Sequence, residues 1–169
     1  RRIVWGKFMN AGQTCIAVDY VVVQESVKDA LLAAMTKEIG KRYPHAEKSD
    51  AYPSIINQRH YDRLIGLMKT ESSLIGGAVN AEKRRIAPTL MPEADFDHPI
   101  MEDEIFGPLL PIIAVKDMQN AVAHIKTLPN PLACYVFTEN KAVAEAVIAN
   151  LSFGGGCIND TLLHVTNPN

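Results

Sequence analysis

From Leu110 onward the sequence alternates strand-like and helix-like runs, and this alternation restricts the fold more than any other feature. Leu110 to Val115 reads as a strand, Asp117 caps a helix to about Thr127, Ala133 to Thr138 is a strand, Glu139 to Asn150 a helix, and Gly156 to Asn159 a strand. Strands joined by helices of that length are parallel neighbours, with helices on both faces of the sheet. The expected fold is therefore α/β, three αβα layers around a mostly parallel sheet. A chain of 169 residues is enough for one such domain, because it buries roughly 70% of its unfolded surface.

The earlier part is read by the same rules. Asp19 to Gln24 is a β-branched and aromatic run and reads as a well-buried strand. Ser26 is placed to cap a helix reaching about Arg42, with Val27, Ala30, Leu31, Ala34, Met35 and Ile39 as its apolar stripe. Pro44 and the polar stretch His45 to Ala51 end it. A second helix opens at Ile55 and gathers Tyr61, Leu64, Ile65 and Met68 on one face. Leu74 to Gly77 and Ile86 to Leu90 read as two short strands around a charged turn. In that turn the basic run of Lys83, Arg84 and Arg85 is expected to form a solvated tip. Pro88 makes the second strand an edge or an interrupted one.

Composition removes several function classes. A net charge of −2 and a pI near 6.2 leave no basic footprint for nucleic acid and no polybasic patch for a membrane surface. Apolar runs fall far short of the ~20 residues of a membrane helix, and the charged start is not a secretory signal, so the reading is cytoplasmic. Cys15, Cys134 and Cys157 are three in number and irregularly spaced, which suggests reduced thiols without a disulfide framework or a metal site. No G-x-G-x-x-G or P-loop occurs, so a nucleotide-binding half is not visible. The chain begins inside a helical pattern and stops at Asn167-Pro168-Asn169, and it reads as a piece excised from a longer protein.

Two stretches carry chemistry. Ile3, Val4, Phe8 and Ala11 recur at helical spacing, Gly12 stops that helix, and Cys15 follows in the loop before the first strand. A loop on a rigid scaffold presents a reactive group well, and backbone N–H groups there stabilise a thiolate. A buried, inert thiol is the competing reading, and it is the expectation for Cys134 and Cys157 inside their strands. The second stretch, Pro99 to Pro108, places Glu102, Asp103 and Glu104 before Ile105-Phe106-Gly107-Pro108. It is either a solvated acidic loop or a site where a carboxylate meets ribose hydroxyls and a phenyl ring meets a flat heterocycle. His60, beside Arg59 with no evident partner, is expected to be a surface or capping residue rather than a general base.

Gly6-Lys7-Phe8-Met9-Asn10-Ala11-Gly12-Gln13-Thr14-Cys15 closely resembles the nucleophile motif of the aldehyde dehydrogenase superfamily. It departs at Val18, where that family commonly carries proline before the acid. Pro53 to His60, Ile86 to Thr89, Glu102 to Pro108, Asn130 to Ala133 with Tyr135 to Thr138, and Gly154 to Asp160 resemble the same family, with a class 3-like, dimeric flavour. The resemblance implies a catalytic domain in which the Cys15 thiolate attacks an aldehyde and hydride passes to NAD or NADP. It further implies that Glu104 holds the nicotinamide ribose, Phe106 borders the nicotinamide, and Asn159 supports the substrate side. The implied partners are a small-molecule aldehyde, a nucleotide-binding domain of the same parent chain that binds most of the cofactor, and a second subunit. The family's general-base segment is not among these residues, so the piece alone is expected to be inactive. Two other classes stand beside this reading: a non-catalytic interaction module that keeps the fold, and a cysteine hydrolase needing a histidine near Cys15.

Overall fold

A computed structural model describes residues 1–166, so Asn167 to Asn169 lie outside the described residues. Three parallel strands in the order β1-β5-β4 form the centre: β1 Val21–Gln24, β5 Leu109–Val115 and β4 Thr89–Met91. Val21 pairs with Ile112 and Thr89 with Leu109, so β5 is bonded on both edges. Its first five residues are all buried, as a strand covered on both faces requires. Alternation along the strands sends Leu110, Ile112, Leu90 and Val23 into one core and Leu109 and Met91 into another. The first core is closed by α1 Arg2–Phe8 and α2 Glu25–Arg42 through Val4, Phe8, Leu32 and Met35. The second is closed by α3 Gln58–Met68 through Tyr61, Leu64 and Met68. Tyr43 packs against both, edge-on to Phe8 at 6.1 Å and to Tyr52 at 5.6 Å. This is the expected layered α/β arrangement.

The alternating second half follows the sequence pattern, with element bounds moved by one or two residues. The Asp117 carboxylate accepts the Gln119 N–H at 2.8 Å and starts α4 Met118–Ile125. β6 Ala133–Val136 pairs in parallel with β7 Gly155–Ile158, with α5 Lys141–Asn150 as the crossover. Among the described residues no helix is long and apolar enough to cross a membrane.

Five local expectations are corrected. Gln24 ends β1 directly against α2, so the helix starts at Glu25 and Ser26 lies inside its first turn rather than at a cap. The buried face of α2 is narrower than the stripe: Leu32 and Met35 are buried, whereas Val27, Ala30 and Ala34 are exposed. Asn57 is extended and its side chain accepts the His60 N–H at 2.9 Å, which delays α3 to Gln58 instead of Ile55. Gly76 and Gly77, at φ +100° and +82°, cannot continue a strand. The hairpin therefore forms between β2 Val79–Asn80 and β3 Arg85–Ile86, Ile75 only bridges to Leu90, and Pro88 separates β3 from β4. Finally, Arg85 is not at a solvated tip: it is buried, with Nη1 at 2.9 Å from Asp50.

Candidate active site

The Cys15 loop is built by a backbone reversal. After α1, Asn10, Ala11 and Gly12 take φ of 52°, 54° and 71° in succession, three left-handed residues that only a strongly braced segment holds. The bracing comes from side chains. Asn10 Nδ2 donates to the Gln13 carbonyl at 2.9 Å, while Gln13 Nε2 donates to the Ser54 carbonyl at 3.1 Å and Gln13 Oε1 accepts the Ile56 N–H at 2.9 Å. The Ala17 N–H closes on the Thr14 carbonyl at 2.9 Å, and Cys15 stands exposed and free on that turn. Val18 is buried in the first core, so the position that departs from the family pattern is packed.

Gly12 brings the two chemical stretches together. A Cβ on Gly12 would lie 2.3 Å from the Gly107 carbonyl oxygen, so the loop rests directly on the backbone of the Glu104 to Pro108 segment. Gly107 is itself pressed on Leu64, where a Cβ would meet the side chain at 2.6 Å. These two glycines are needed for the close approach rather than for flexibility.

The acidic stretch is not a free solvated loop. Ile105 is fully buried and its N–H donates to Asp19 Oδ1 at 3.2 Å. From α3, the Arg63 guanidinium donates to the Glu104 carbonyl at 3.0 Å and also to the Ile105 carbonyl. His60 Nε2 lies 2.7 Å from the Phe106 carbonyl; a carbonyl only accepts, so this nitrogen carries the proton. His60 Nδ1 then faces Arg63 Nε at 3.5 Å. Phe106 needs this hold, because it takes φ +48°, an outlier conformation for a bulky residue. His60 is thus half-buried and engaged with the segment, which corrects its reading as a surface or capping residue; spacing alone gave no sign of a partner 46 residues away. The result is an exposed Glu104, an acceptor of the kind a sugar hydroxyl can donate to, two residues before a half-buried Phe106 that offers a flat ring.

The β6–β7 pair supports the loop from the other side. The Tyr135 hydroxyl donates to the Ile16 carbonyl at 2.8 Å, and burial, as the largest cause, pushes the phenol up to about 12, so it stays a donor. Asn159 follows β7 at φ +56° and clips the end of β6: Oδ1 accepts the Thr138 N–H and Nδ2 donates to the Thr138 carbonyl, both at 2.9 Å. Next to it, buried Thr161 donates to the Arg2 carbonyl at 3.0 Å, and a Cβ on Gly6 would meet its hydroxyl at 2.5 Å. Cys134 and Cys157 are half-buried. Burial pushes the Cys134 thiol up, and Cys157 Sγ lies 3.8 Å from His164 Nδ1. Among the described residues no histidine hydrogen-bonds Cys15, and no group of three or more His, Cys, Asp or Glu is placed to hold a metal ion.

The aldehyde dehydrogenase family model matches residues 1–168. The chain belongs to the aldehyde dehydrogenase family. It is 45% identical over 170 residues to the 4,4'-diaponeurosporen-aldehyde dehydrogenase of Staphylococcus aureus, covering 99% of this chain and 37% of that protein. It is 40% identical over 169 residues to the dimeric NADP-preferring aldehyde dehydrogenase of Rattus norvegicus, again covering 99% and 37%. A substrate-bound Staphylococcus aureus AldH structure superposes with a TM-score of 0.94 at 44% identity, covering 99% of this chain and 37% of that one. A Bacillus halodurans NADP-dependent glyceraldehyde-3-phosphate dehydrogenase complexed with NADP gives 0.85 at 28% identity, covering 95% and 35%. The chain therefore spans a little over a third of the length of these relatives.

Proposed function

We propose that this chain is the nucleophile-bearing catalytic portion of a longer NAD- or NADP-dependent aldehyde dehydrogenase, with Cys15 as the nucleophile. The observation that carries this is the backbone contact of Gly12 on Gly107, which lays the Cys15 loop against the Glu104 to Pro108 segment. The Cys15 thiolate adds to the aldehyde carbonyl, forming a C–S bond and an oxyanion that the Cys15 backbone N–H stabilises. Collapse of the oxyanion expels hydride from that carbon and leaves a thioester on Cys15. Water then cleaves the C–S bond, releasing the carboxylic acid and restoring the thiol. The nicotinamide supplies the hydride acceptor when bound. Glu104 would accept from the ribose and Phe106 would border the nicotinamide, while Asn159 supports the substrate side.

The general base and most of the nucleotide contacts are assigned to segments outside these 169 residues, with a second subunit in the assembled enzyme. On this reading the isolated chain does not turn over aldehyde. In the full-length enzyme, Cys15→Ser lowers kcat by more than about 10⁴-fold, while binding of the cofactor, followed by fluorescence titration, is retained. Glu104→Gln instead raises the cofactor KM. Retention of NAD(P)-dependent oxidation by Cys15→Ser would exclude Cys15 as nucleophile, whereas absence of any turnover in the wild-type full-length protein would favour the non-catalytic module.

A further inference from the structure

Lys7 is the largest anomaly of the fold outside the reacting groups. It lies on α1 one turn after Val4 and beside Phe8, inside the apolar face, and is 0% exposed. Among the described residues no hydrogen-bond acceptor reaches its Nζ. The nearest carboxylate oxygen is Asp19 Oδ1 at 3.9 Å, and that same oxygen accepts the Ile105 N–H at 3.2 Å. Glu104 also contributes to the field at the ammonium.

We propose that Lys7 is a positioning residue of this site: its buried ammonium acts through Asp19 on the Ile105 amide and so fixes where Glu104 and Phe106 stand. The inference rests on the reading of those two residues as cofactor contacts. A charge without a hydrogen-bond partner in a core is a strained choice unless a function holds it there. Here the alternative arrangement is clear. Asp19 is partly exposed, so without the cation its carboxylate turns to water and releases Ile105 N–H. The exposed run Glu102, Asp103 and Glu104 then loses a neighbouring positive charge that offsets its self-repulsion. The titratable and charged groups around the cluster are Lys7 on α1, Asp19 and Tyr20 before β1, Glu104 before β5, and Arg63 with His60 on α3. Burial, opposed by Asp19 and Glu104, lowers Lys7 to about 8.

The test uses the full-length enzyme and steady-state cofactor KM between pH 7 and 9.5. Lys7→Met is expected to raise the cofactor KM about tenfold at pH 7 while alkylation of Cys15 by iodoacetamide, without cofactor, changes less than about twofold. Lys7→Arg, which keeps its charge throughout, is expected to recover most of the affinity. In the wild type the KM climbs as pH passes 8, and in Lys7→Arg it stays flat. A Lys7→Met enzyme with wild-type KM, alongside a raised KM in Glu104→Gln, overturns the proposal and leaves the cofactor reading standing. Unchanged KM in Glu104→Gln overturns that reading and the proposal with it. Should Lys7→Met fail to fold, Asp19→Asn takes its place; a wild-type KM and pH profile there overturns the coupling.

Discussion

Gly12 faces two demands that only glycine, among the residue types, meets together. Its φ of +71° lies where a side chain is strained, and the space its Cβ would occupy is filled by the Gly107 carbonyl at 2.3 Å. Because the obstacle is backbone, no rotamer change relieves it. Gly12→Ala is therefore expected to destabilise the chain by about 2–3 kcal/mol and to displace Cys15 from the Glu104 to Pro108 segment. Urea unfolding measures the first, and loss of cofactor protection against Cys15 alkylation in the full-length enzyme measures the second. At this scale the sequence was only partly legible. Gly12 is readable as a helix stop, and Cys15 as a loop thiol, from local rules alone. That the same glycine is a contact surface for residue 107 depends on a pairing 95 residues away in the chain, which carries no local signature. Lys7 did leave a trace, since its position falls on the arc of Val4, Phe8 and Ala11, but a charged residue there reads as polar until burial is seen.

Elements place the site by holding its two segments separately. α3 donates through His60 and Arg63 to the carbonyls of residues 104–106, and the β6–β7 pair donates through Tyr135 to Ile16. Tyr135→Phe removes that donor while keeping the ring in the core, so it is expected to lower Tm by about 2–4 °C, the equivalent of roughly 1 kcal/mol. In the full-length enzyme it changes the Cys15 alkylation rate and leaves the cofactor KM unaltered, because the 104–106 segment is anchored from α3. A rise in cofactor KM with an unchanged alkylation rate would reverse that assignment of roles. The alternating strands and helices from β5 to β7 were legible because a cap such as Asp117 acts locally, although the sequence starts α5 at Glu139 and the structure places Asn140 as its cap. The Leu74 to Gly77 strand and the wide stripe on α2 were not, because paired positive-φ glycines and tertiary packing override an apolar count.

Across the whole molecule, Lys7 sets a conflict between stability and the site. Burial holds its folded value at about 8 against 10.5 for an exposed lysine, a penalty of about 3 kcal/mol in order of magnitude wherever both states carry the proton. Below pH 8 that penalty is fully present. Between pH 8 and 10.5 the unfolded chain binds more protons than the folded one, so the lysine's contribution raises stability as pH rises. Buried tyrosines act with the opposite sign: Tyr20, Tyr52 and Tyr135 have raised values, chiefly by burial, and their contribution is lost only as pH passes 10. Cys134, raised by burial from 9.0, also loses its contribution as pH rises past about 9, so it is the difference between Lys7→Met and the wild type that isolates the lysine. In urea unfolding, Lys7→Met is expected to be more stable than the wild type at pH 7.5, with the gap narrowing toward pH 9.5. Parallel stability curves would mean that Lys7 keeps its proton in the folded chain across this range. A narrowing gap, together with a weakened cofactor in the same variant, identifies a core that gives up stability to keep one charge facing Asp19.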